Sequence, residues 1–90
     1  MSLIVRFEVK NMDSKRYAEV LRRLTSEGQG SPTGRLYHVS FGSHEALQVV
    51  DVWDTESNFR AFGEHLVPIL KSLGVEVTPD VSPVHHIIRA

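Results

Sequence analysis

The 90-residue sequence contains no cysteine. This absence excludes disulfide bonds, a thiolate nucleophile and a zinc site with cysteine ligands. The chain also lacks an excess of charge of either sign, since its formal net charge is -1, and this balance disfavours a nucleic-acid-binding surface. No apolar run approaches the length of a transmembrane helix, and Arg6 interrupts the N-terminal apolar segment too early for a signal peptide. We therefore expect a cytoplasmic protein with no nucleic-acid or membrane partner.

The remaining composition is that of a globular protein, with 41% hydrophobic and 23% charged residues. A chain of this length can build one hydrophobic core and no more. The sequence therefore predicts a single domain over residues 1–90.

The residue patterns in the first half of the chain predict a strand, a helix and a loop. Apolar and polar side chains alternate over residues 3–10, the pattern of a half-buried strand. A helical apolar stripe follows at Tyr17, Val20, Leu21 and Leu24. The segment from Gly28 to Gly34 is rich in residues that break regular structure and predicts a surface loop.

The second half predicts a hairpin, a helix and a last strand. Residues 37–41 and 50–52 alternate as strands on either side of a turn at 42–45, so they are expected to be antiparallel neighbours. Asp54 or Thr55 caps a helix that ends at Gly74 and is kinked or divided at Pro68. The last strand is predicted over 84–89. The order of elements indicates an α+β, ferredoxin-like βαββαβ fold with both helices on one face of a four-stranded antiparallel sheet.

The alternation also assigns side chains to the two faces of the sheet. We expect the helices to cover one set of apolar side chains, namely Val5, Phe7, Val39, Phe41, Val50 and Val52. The opposite face then holds Ile4, Arg6, Glu8, Leu36, His38, Ser40, Val49, Asp51, Trp53 and either His85 or Ile87. Because that face would expose a large apolar patch with a tryptophan, we expect a second copy of the chain to cover it in a two-fold homodimer.

Three segments carry a resemblance to a known family: Val50–Phe62 (VDVWDTESNFRAF), Leu66–Leu70 (LVPIL) and Pro83–His86 (PVHH). The chain resembles the dimeric α+β barrel superfamily and, within it, the antibiotic biosynthesis monooxygenase-like group. The resemblance implies that two ferredoxin-like units join sheet to sheet in a barrel. It also implies a pocket in each protomer, between the sheet and the helices or inside the barrel. Members include cofactor-independent monooxygenases, haem-degrading enzymes, isomerases and proteins of no assigned activity.

His38 and Asp51 are the candidate catalytic residues. A two-residue hairpin turn at Ser43 and His44 makes them diagonal neighbours on adjacent strands, within reach of a water molecule or of a direct hydrogen bond. An imidazole held by a carboxylate can act as a general base. The alternative to catalysis is that His38 and Asp51 are buried in a dimer interface and only hydrogen-bond to each other, because buried polar groups need partners.

Four further residues are candidate ligand-binding residues. By resemblance, Trp53 matches a tryptophan at the pocket or interface, and His38 and His85 match histidines of close relatives. Tyr37 offers a hydroxyl for a phenolic ligand, and His65 lies beside Phe62 on the second predicted helix. His85 and His86 are expected to point to opposite faces of a strand, so they cannot share a metal. We expect neither a metal nor another cofactor.

Two functions fit these residues. In the first, a homodimer binds a small organic molecule in a pocket without transforming it. In the second, the protein is a cofactor-independent monooxygenase or isomerase acting on a small aromatic or polyketide-like substrate, with His38 as base and Asp51 orienting it. A purely structural dimer remains a third interpretation.

Overall fold

The computed structural model describes residues 2–89, which form four strands and two helices. In chain order they are β1 (Leu3–Lys10), α1 (Ser14–Ser26), β2 (Arg35–Ser43), β3 (Ala46–Trp53), α2 (Glu56–Ser72) and β4 (Glu76–Pro83). The strands form one antiparallel sheet in the order β2-β3-β1-β4. The predicted ferredoxin-like α+β fold is therefore confirmed. No helix within residues 2–89 is long and apolar enough to cross a membrane.

Both helices begin at capping residues. The Asp13 side chain accepts a hydrogen bond from the backbone N–H of Arg16, and the Thr55 side chain accepts one from that of Asn58. Gly74 follows the end of α2 with a φ of 70°, a left-handed conformation that glycine adopts at little cost. The predicted division at Pro68 is wrong, because α2 continues through that residue.

The position of the last strand also differs from the prediction. β4 occupies Glu76–Pro83, and the predicted strand at 84–89 is an irregular segment that follows it. Pro79 and Pro83 lie within β4, opposite Phe7 and Leu3 of β1. Because β4 is an edge strand, a proline whose missing N–H would face solvent costs no sheet hydrogen bond.

The predicted faces are correct for β1 and wrong for β2 and β3. Val5 and Phe7 are buried beneath the helices as expected. Asp51 and Trp53 are buried there too: Asp51 lies opposite Val5, and the Trp53 ring packs 5.2 Å from that of Phe62, centroid to centroid. The central segment of β3 is apolar on both faces, so alternation alone could not tell which face was inside. Burial of the largest aromatic side chain decided the orientation.

The helices leave the other face of the sheet open, and this face carries the side chains of β2 and β3 that were predicted to be in the core. Val39 pairs with Val50 and Tyr37 with Val52, on the face opposite to Asp51. Val39 and Phe41 are about half exposed, at 52% and 49%. The other half of this face, on β1 and β4, is polar apart from Ile4 and includes the Arg6–Asp80 ion pair. The apolar part of the open face thus lies along β2 and β3 and extends to Ile4 of β1, opposite Val52.

Candidate functional site

The site lies between α1 and the β2–β3 hairpin, and backbone hydrogen bonds fix their relative position. Ser14 at the start of α1 donates to the carbonyl of His44 in the hairpin turn at 2.8 Å, and Leu47 of β3 donates to the carbonyl of Met12 at 2.9 Å. Tyr17 lies one turn into α1. Its ring lies parallel to that of His38 on β2, with an interplanar angle of 2° and ring centres 6.1 Å apart.

Four side chains form a continuous chain of hydrogen bonds across the site. The Tyr17 hydroxyl lies 2.7 Å from Nε2 of His38, and Nδ1 of His38 lies 2.6 Å from Oδ1 of Asp51. The other carboxyl oxygen of Asp51 accepts a hydrogen bond from Nε1 of Trp53 at 3.3 Å. His38 and Asp51 are direct cross-strand partners, closer than the diagonal neighbours expected from the sequence.

The direction of each hydrogen bond follows from what each group can donate. The Trp53 indole can only donate, and an ionised carboxylate can only accept. Asp51 as a carboxylate therefore accepts from both Trp53 and the Nδ1–H of His38. In the neutral imidazole this leaves Nε2 of His38 as the acceptor for the Tyr17 hydroxyl. Each polar atom of the buried Asp51 side chain is thus satisfied, which makes its burial tolerable.

The polar chain forms one wall of an otherwise apolar cavity between the sheet and the helices. The cavity volume is about 50 Å³. Its apolar wall includes Val20 and Leu24 of α1, Phe62 and Leu66 of α2, and Phe7 and Val49 of the sheet. His38, Asp51 and Tyr17 also line it, whereas Trp53 supports Asp51 from outside the lining. The part-exposed Leu21 lies among the lining residues, so the cavity reaches the surface beside α1.

A second, shallower space lies next to this cavity, between the loop after α1 and the outer side of α2. This surface cleft has a volume of about 150 Å³ and is lined by Gln29, Pro32, Thr33, Asn58, Ala61, Phe62 and His65. Phe62 lines both the cavity and the cleft. Arg35 lines the cavity, with its guanidinium carbon 5.6 Å from the centre of the Phe62 ring. We call the contact between Arg35 and Phe62 the neck.

Of the six predicted site residues, only His38, Asp51 and Trp53 lie together. Tyr37 lies on the open face, where the guanidinium of Arg89 packs 5.4 Å from its ring centre. His85 is exposed in the segment after β4 and does not line the cavity. His65 lines the surface cleft, and its Nδ1 lies 2.8 Å from Oε1 of Glu27. His85 therefore lies outside the site around His38, because β4 occupies Glu76–Pro83 and His85 follows it. Tyr37 lies outside it because the faces of β2 are reversed.

Sequence reasoning missed Arg35 as a site residue. It assigned Tyr17 to the apolar stripe of α1 with a hydroxyl that, like that of Tyr37, could reach a phenolic ligand, but no local pattern reveals that this hydroxyl meets a histidine on another element. Arg35 is directed to the cavity by a β-bulge: it pairs with Trp53, Tyr37 pairs with Val52, and Leu36 is the extra residue between them. Such irregularities change which face a side chain occupies and leave no clear mark in the sequence.

Within residues 2–89 no three His, Asp or Glu side chains are grouped closely enough to hold a metal ion. The candidate site is therefore described by its hydrogen bonds and its apolar walls alone.

No family model matches the chain, and no curated protein sequence matches it. Its structure is nevertheless similar to solved structures over almost the full chain. A candidate antibiotic biosynthesis monooxygenase from Deinococcus radiodurans superposes with a TM-score of 0.65 at 12% identity, covering 98% of this chain and 97% of the other. The cofactor-independent oxygenase SnoaB from Streptomyces nogalater gives a TM-score of 0.61 at 14% identity, covering 99% and 96%.

A third structure, of a candidate antibiotic biosynthesis monooxygenase from Chloroflexus aurantiacus, gives a TM-score of 0.54 at 17% identity and covers 98% of this chain and 97% of that one. Identities this low establish a common fold and leave activity open. The chain shares the ferredoxin-like α+β fold of these proteins.

Proposed function

We propose that this protein is a homodimer in which each subunit binds a small organic molecule in the cavity between its sheet and its helices. The observation that carries the proposal is the hydrogen-bonded chain Tyr17–His38–Asp51 in the wall of an apolar cavity. Ligand sites typically combine apolar walls with a few convergent polar groups. A ligand with an aromatic ring and one hydroxyl fits this combination.

The hydroxyl of such a ligand has two possible partners. Both ring nitrogens of His38 are already engaged, one by Asp51 and one by Tyr17. A ligand therefore either hydrogen-bonds to the oxygen of Tyr17 or displaces Tyr17 from Nε2 of His38. In both cases Asp51 keeps the imidazole in one orientation.

Binding requires the cavity to enlarge. Its volume of about 50 Å³ is well below the roughly 300 to 1,000 Å³ of typical ligand pockets. The wall formed by α1 is the one that can move most easily, because the helix is joined to the sheet through few polar contacts beyond its N-terminal end and the Tyr17–His38 hydrogen bond. We expect ligand binding to shift α1 outward.

Trp53 provides a direct test because it is the only tryptophan in the sequence. In protein labelled with 5-fluorotryptophan, the single ¹⁹F NMR signal reports on the ring joined to Asp51. We expect a saturable change of this signal on titration with 2-naphthol. The His38→Gln variant should bind 2-naphthol several-fold more weakly, since it removes the imidazole at the cavity wall, a loss of about 1 kcal/mol. Tyr17→Phe should weaken binding by a similar factor where the ligand hydrogen-bonds to the Tyr17 oxygen, and strengthen it where the ligand takes the place of Tyr17 on Nε2 of His38.

Tyr37→Phe is the matched control, because it removes the same hydroxyl from the opposite face of the sheet. Its affinity for 2-naphthol should equal that of the unmodified protein. Equal affinities for the Tyr17→Phe and Tyr37→Phe variants would contradict the assignment of the polar wall. A ¹⁹F signal that 2-naphthol leaves unchanged would contradict binding of this ligand class in the cavity.

The second candidate function is a cofactor-independent monooxygenase or isomerase. It is favoured by the position of His38 between a carboxylate and a hydroxyl, which lets a proton pass from a phenolic ligand to the imidazole while Asp51 stabilises the resulting charge. In this case His38→Gln abolishes turnover of the substrate and leaves the dimer intact. Loss of the dimer in this variant would instead support a structural role for His38.

The homodimer is proposed on the open face. Tyr37, Val39 and Phe41 of β2 form an exposed apolar strip there, next to the partly buried Val50 and Val52 of β3. A contiguous apolar area of this kind is unusual on the surface of a monomer. Two copies related by a two-fold axis can cover it with the same residues from each. The cavity then lies on the side of each sheet away from the partner.

A further inference from the structure

The neck, where Arg35 contacts Phe62 between the cavity and the surface cleft, indicates the chemistry of the ligand; this inference rests on the proposed function. Phe62 is common to both spaces, so its side chain is the partition between them. Rotation of the Phe62 ring would join the cavity and the cleft into one longer site. The outer end of that site is polar, with Thr33, Asn58 and His65 among its lining residues.

Arg35 is the charged group at this partition. Its guanidinium packs over the Phe62 ring and makes one long hydrogen bond, 3.4 Å from Nη2 to the carbonyl oxygen of Gly30. Among residues 2–89 no carboxylate lies within 4.0 Å of it, whereas Arg6, Arg16, Arg22, Arg23 and Arg60 each have an acidic partner. Arg35 therefore retains donors that an anion can use.

The backbone directs Arg35 to this place. In a regular strand Arg35 would lie on the same face as Tyr37, two residues away, which is the open face. The bulge at Leu36 instead pairs Arg35 with Trp53 and places it on the helix side. Bulges of this kind commonly reorient a side chain beside a functional site.

From the shared Phe62 wall, the unpaired guanidinium and the bulge, we infer that the ligand is a planar aromatic anion, with its ring in the cavity and its anionic group bound by Arg35 at the neck. Phe62 is the side chain that moves to admit it. A carboxylate matches the paired N–H donors of a guanidinium, so an aromatic carboxylate is the ligand class that this geometry favours.

Two probes of nearly equal shape test the inference: 2-naphthoate, which is anionic, and 2-naphthamide, which is neutral. Affinities are measured by calorimetry and by the ¹⁹F signal of 5-fluorotryptophan at position 53. We expect the unmodified protein to bind 2-naphthoate about tenfold more tightly or better, the effect of a charge-assisted hydrogen bond. Arg35→Met should remove this preference without weakening 2-naphthamide, and Arg35→Lys should retain part of it.

Equal binding of the two probes by the unmodified protein overturns the inference and leaves the proposed function standing. An unchanged preference in Arg35→Met overturns it as well. Failure of both probes to bind overturns the inference, and the proposed function is contradicted only where 2-naphthol also fails to bind.

The role of Phe62 is tested by kinetics. Phe62→Leu and Phe62→Met shorten or loosen the partition, so both should raise the association rate of 2-naphthoate. Phe59→Leu is the matched control, because Phe59 also packs against Trp53, at 5.8 Å between ring centres, but lines neither space. A single sharp ¹⁹F signal verifies that each variant is folded. Equal association rates for the Phe62 and Phe59 variants would refute gating by Phe62.

Discussion

At the scale of the residue, the structure shows how a carboxylate can be buried in the core. Asp51 is 2% exposed, yet both of its oxygens accept hydrogen bonds, from His38 and from Trp53. The sequence predicted Asp51 on the face away from the helices, because alternation places it opposite to Val50 and Val52. Asp51 is instead buried beneath the helices, where its hydrogen-bond partner His38 is distant in sequence, and local patterns do not reveal such a partner.

Asp51→Asn should therefore destabilise the protein. The amide retains one acceptor oxygen and directs an NH₂ group toward a second N–H donor, leaving buried polar groups unsatisfied. We expect the free energy of unfolding to fall by about 1 to 3 kcal/mol, measured by urea denaturation. Asp80→Asn is the control, because it breaks an exposed ion pair with Arg6 and should cost less than about 1 kcal/mol. Equal losses in the two variants would contradict the assigned network.

At the scale of the element, the sequence predicted the number, order and type of helices and strands. It failed on the faces of β2 and β3, on the division of α2 at Pro68 and on the position of β4. The stripe of α1 and the cap of α2 at Thr55 are local signals, and both were correct. Tertiary packing decides which face of β3 is buried, because Val50 and Val52 could have packed against the helices as well as Val49. The displaced β4 shows that edge position, which the sequence does not state, decides whether Pro79 is tolerated.

Two glycines, Gly34 just before β2 and Gly63 within α2, give a matched pair of substitutions. Gly34 has a φ of 88°, and a Cβ there would lie 2.5 Å from Nδ2 of Asn58 and also meet the Asp54 carboxylate. Gly34→Ala should lower the free energy of unfolding by about 1 to 3 kcal/mol.

Gly63 in the interior of α2 has open space where a Cβ would stand. Gly63→Ala should raise the free energy of unfolding by about 0.5 to 1 kcal/mol, because alanine loses less backbone entropy in a helix. Urea denaturation of both variants checks the pair, and effects of the same sign would contradict the described backbone.

The outer surfaces of α1 and α2 are joined by a charged network centred on Glu19. Hydrogen bonds from Arg22 and then Arg23 lower the pKa of Glu19 from 4.5 to about 2. Arg23 also donates to the Ser72 hydroxyl of α2 at 2.6 Å. Because the pKa is lower in the folded state, the network stabilises the protein above about pH 4.5, and this contribution is lost as the pH falls toward 2.

Glu19→Gln should therefore be less stable than the unmodified protein near neutral pH, and the difference should disappear as the pH approaches 2. Thermal unfolding followed by circular dichroism at a series of pH values measures this difference. A difference that does not vary with pH would show that the effect of the substitution is not electrostatic.

At the scale of the whole molecule, the two faces of the sheet have separate roles in the proposed account. The helix side holds the cavity and the polar chain, and the open side holds the apolar strip for the partner. The sequence predicted both a dimer and a His38–Asp51 pair, but placed the pair between subunits. Burial of Trp53, which lies on the same face of β3 as Asp51, placed the pair beneath the helices.

Val39→Lys should convert the dimer to a monomer, since it places a charge in the centre of the exposed strip on β2. Val67→Lys is the matched control, because Val67 is similarly exposed, at 42% against 52%, but lies on α2. Light scattering should give about twice the chain mass for the unmodified protein and for Val67→Lys, and the mass of one chain for Val39→Lys. A monomeric unmodified protein would contradict the proposed dimer.

The central claim is that ligands bind beneath the helices and away from the partner subunit. A crystal structure of the protein with 2-naphthoate tests it most directly. The account predicts electron density for the ring beside Tyr17 and His38, with the carboxylate at Arg35. Density on the open face, beside Tyr37 and Val39, would contradict it.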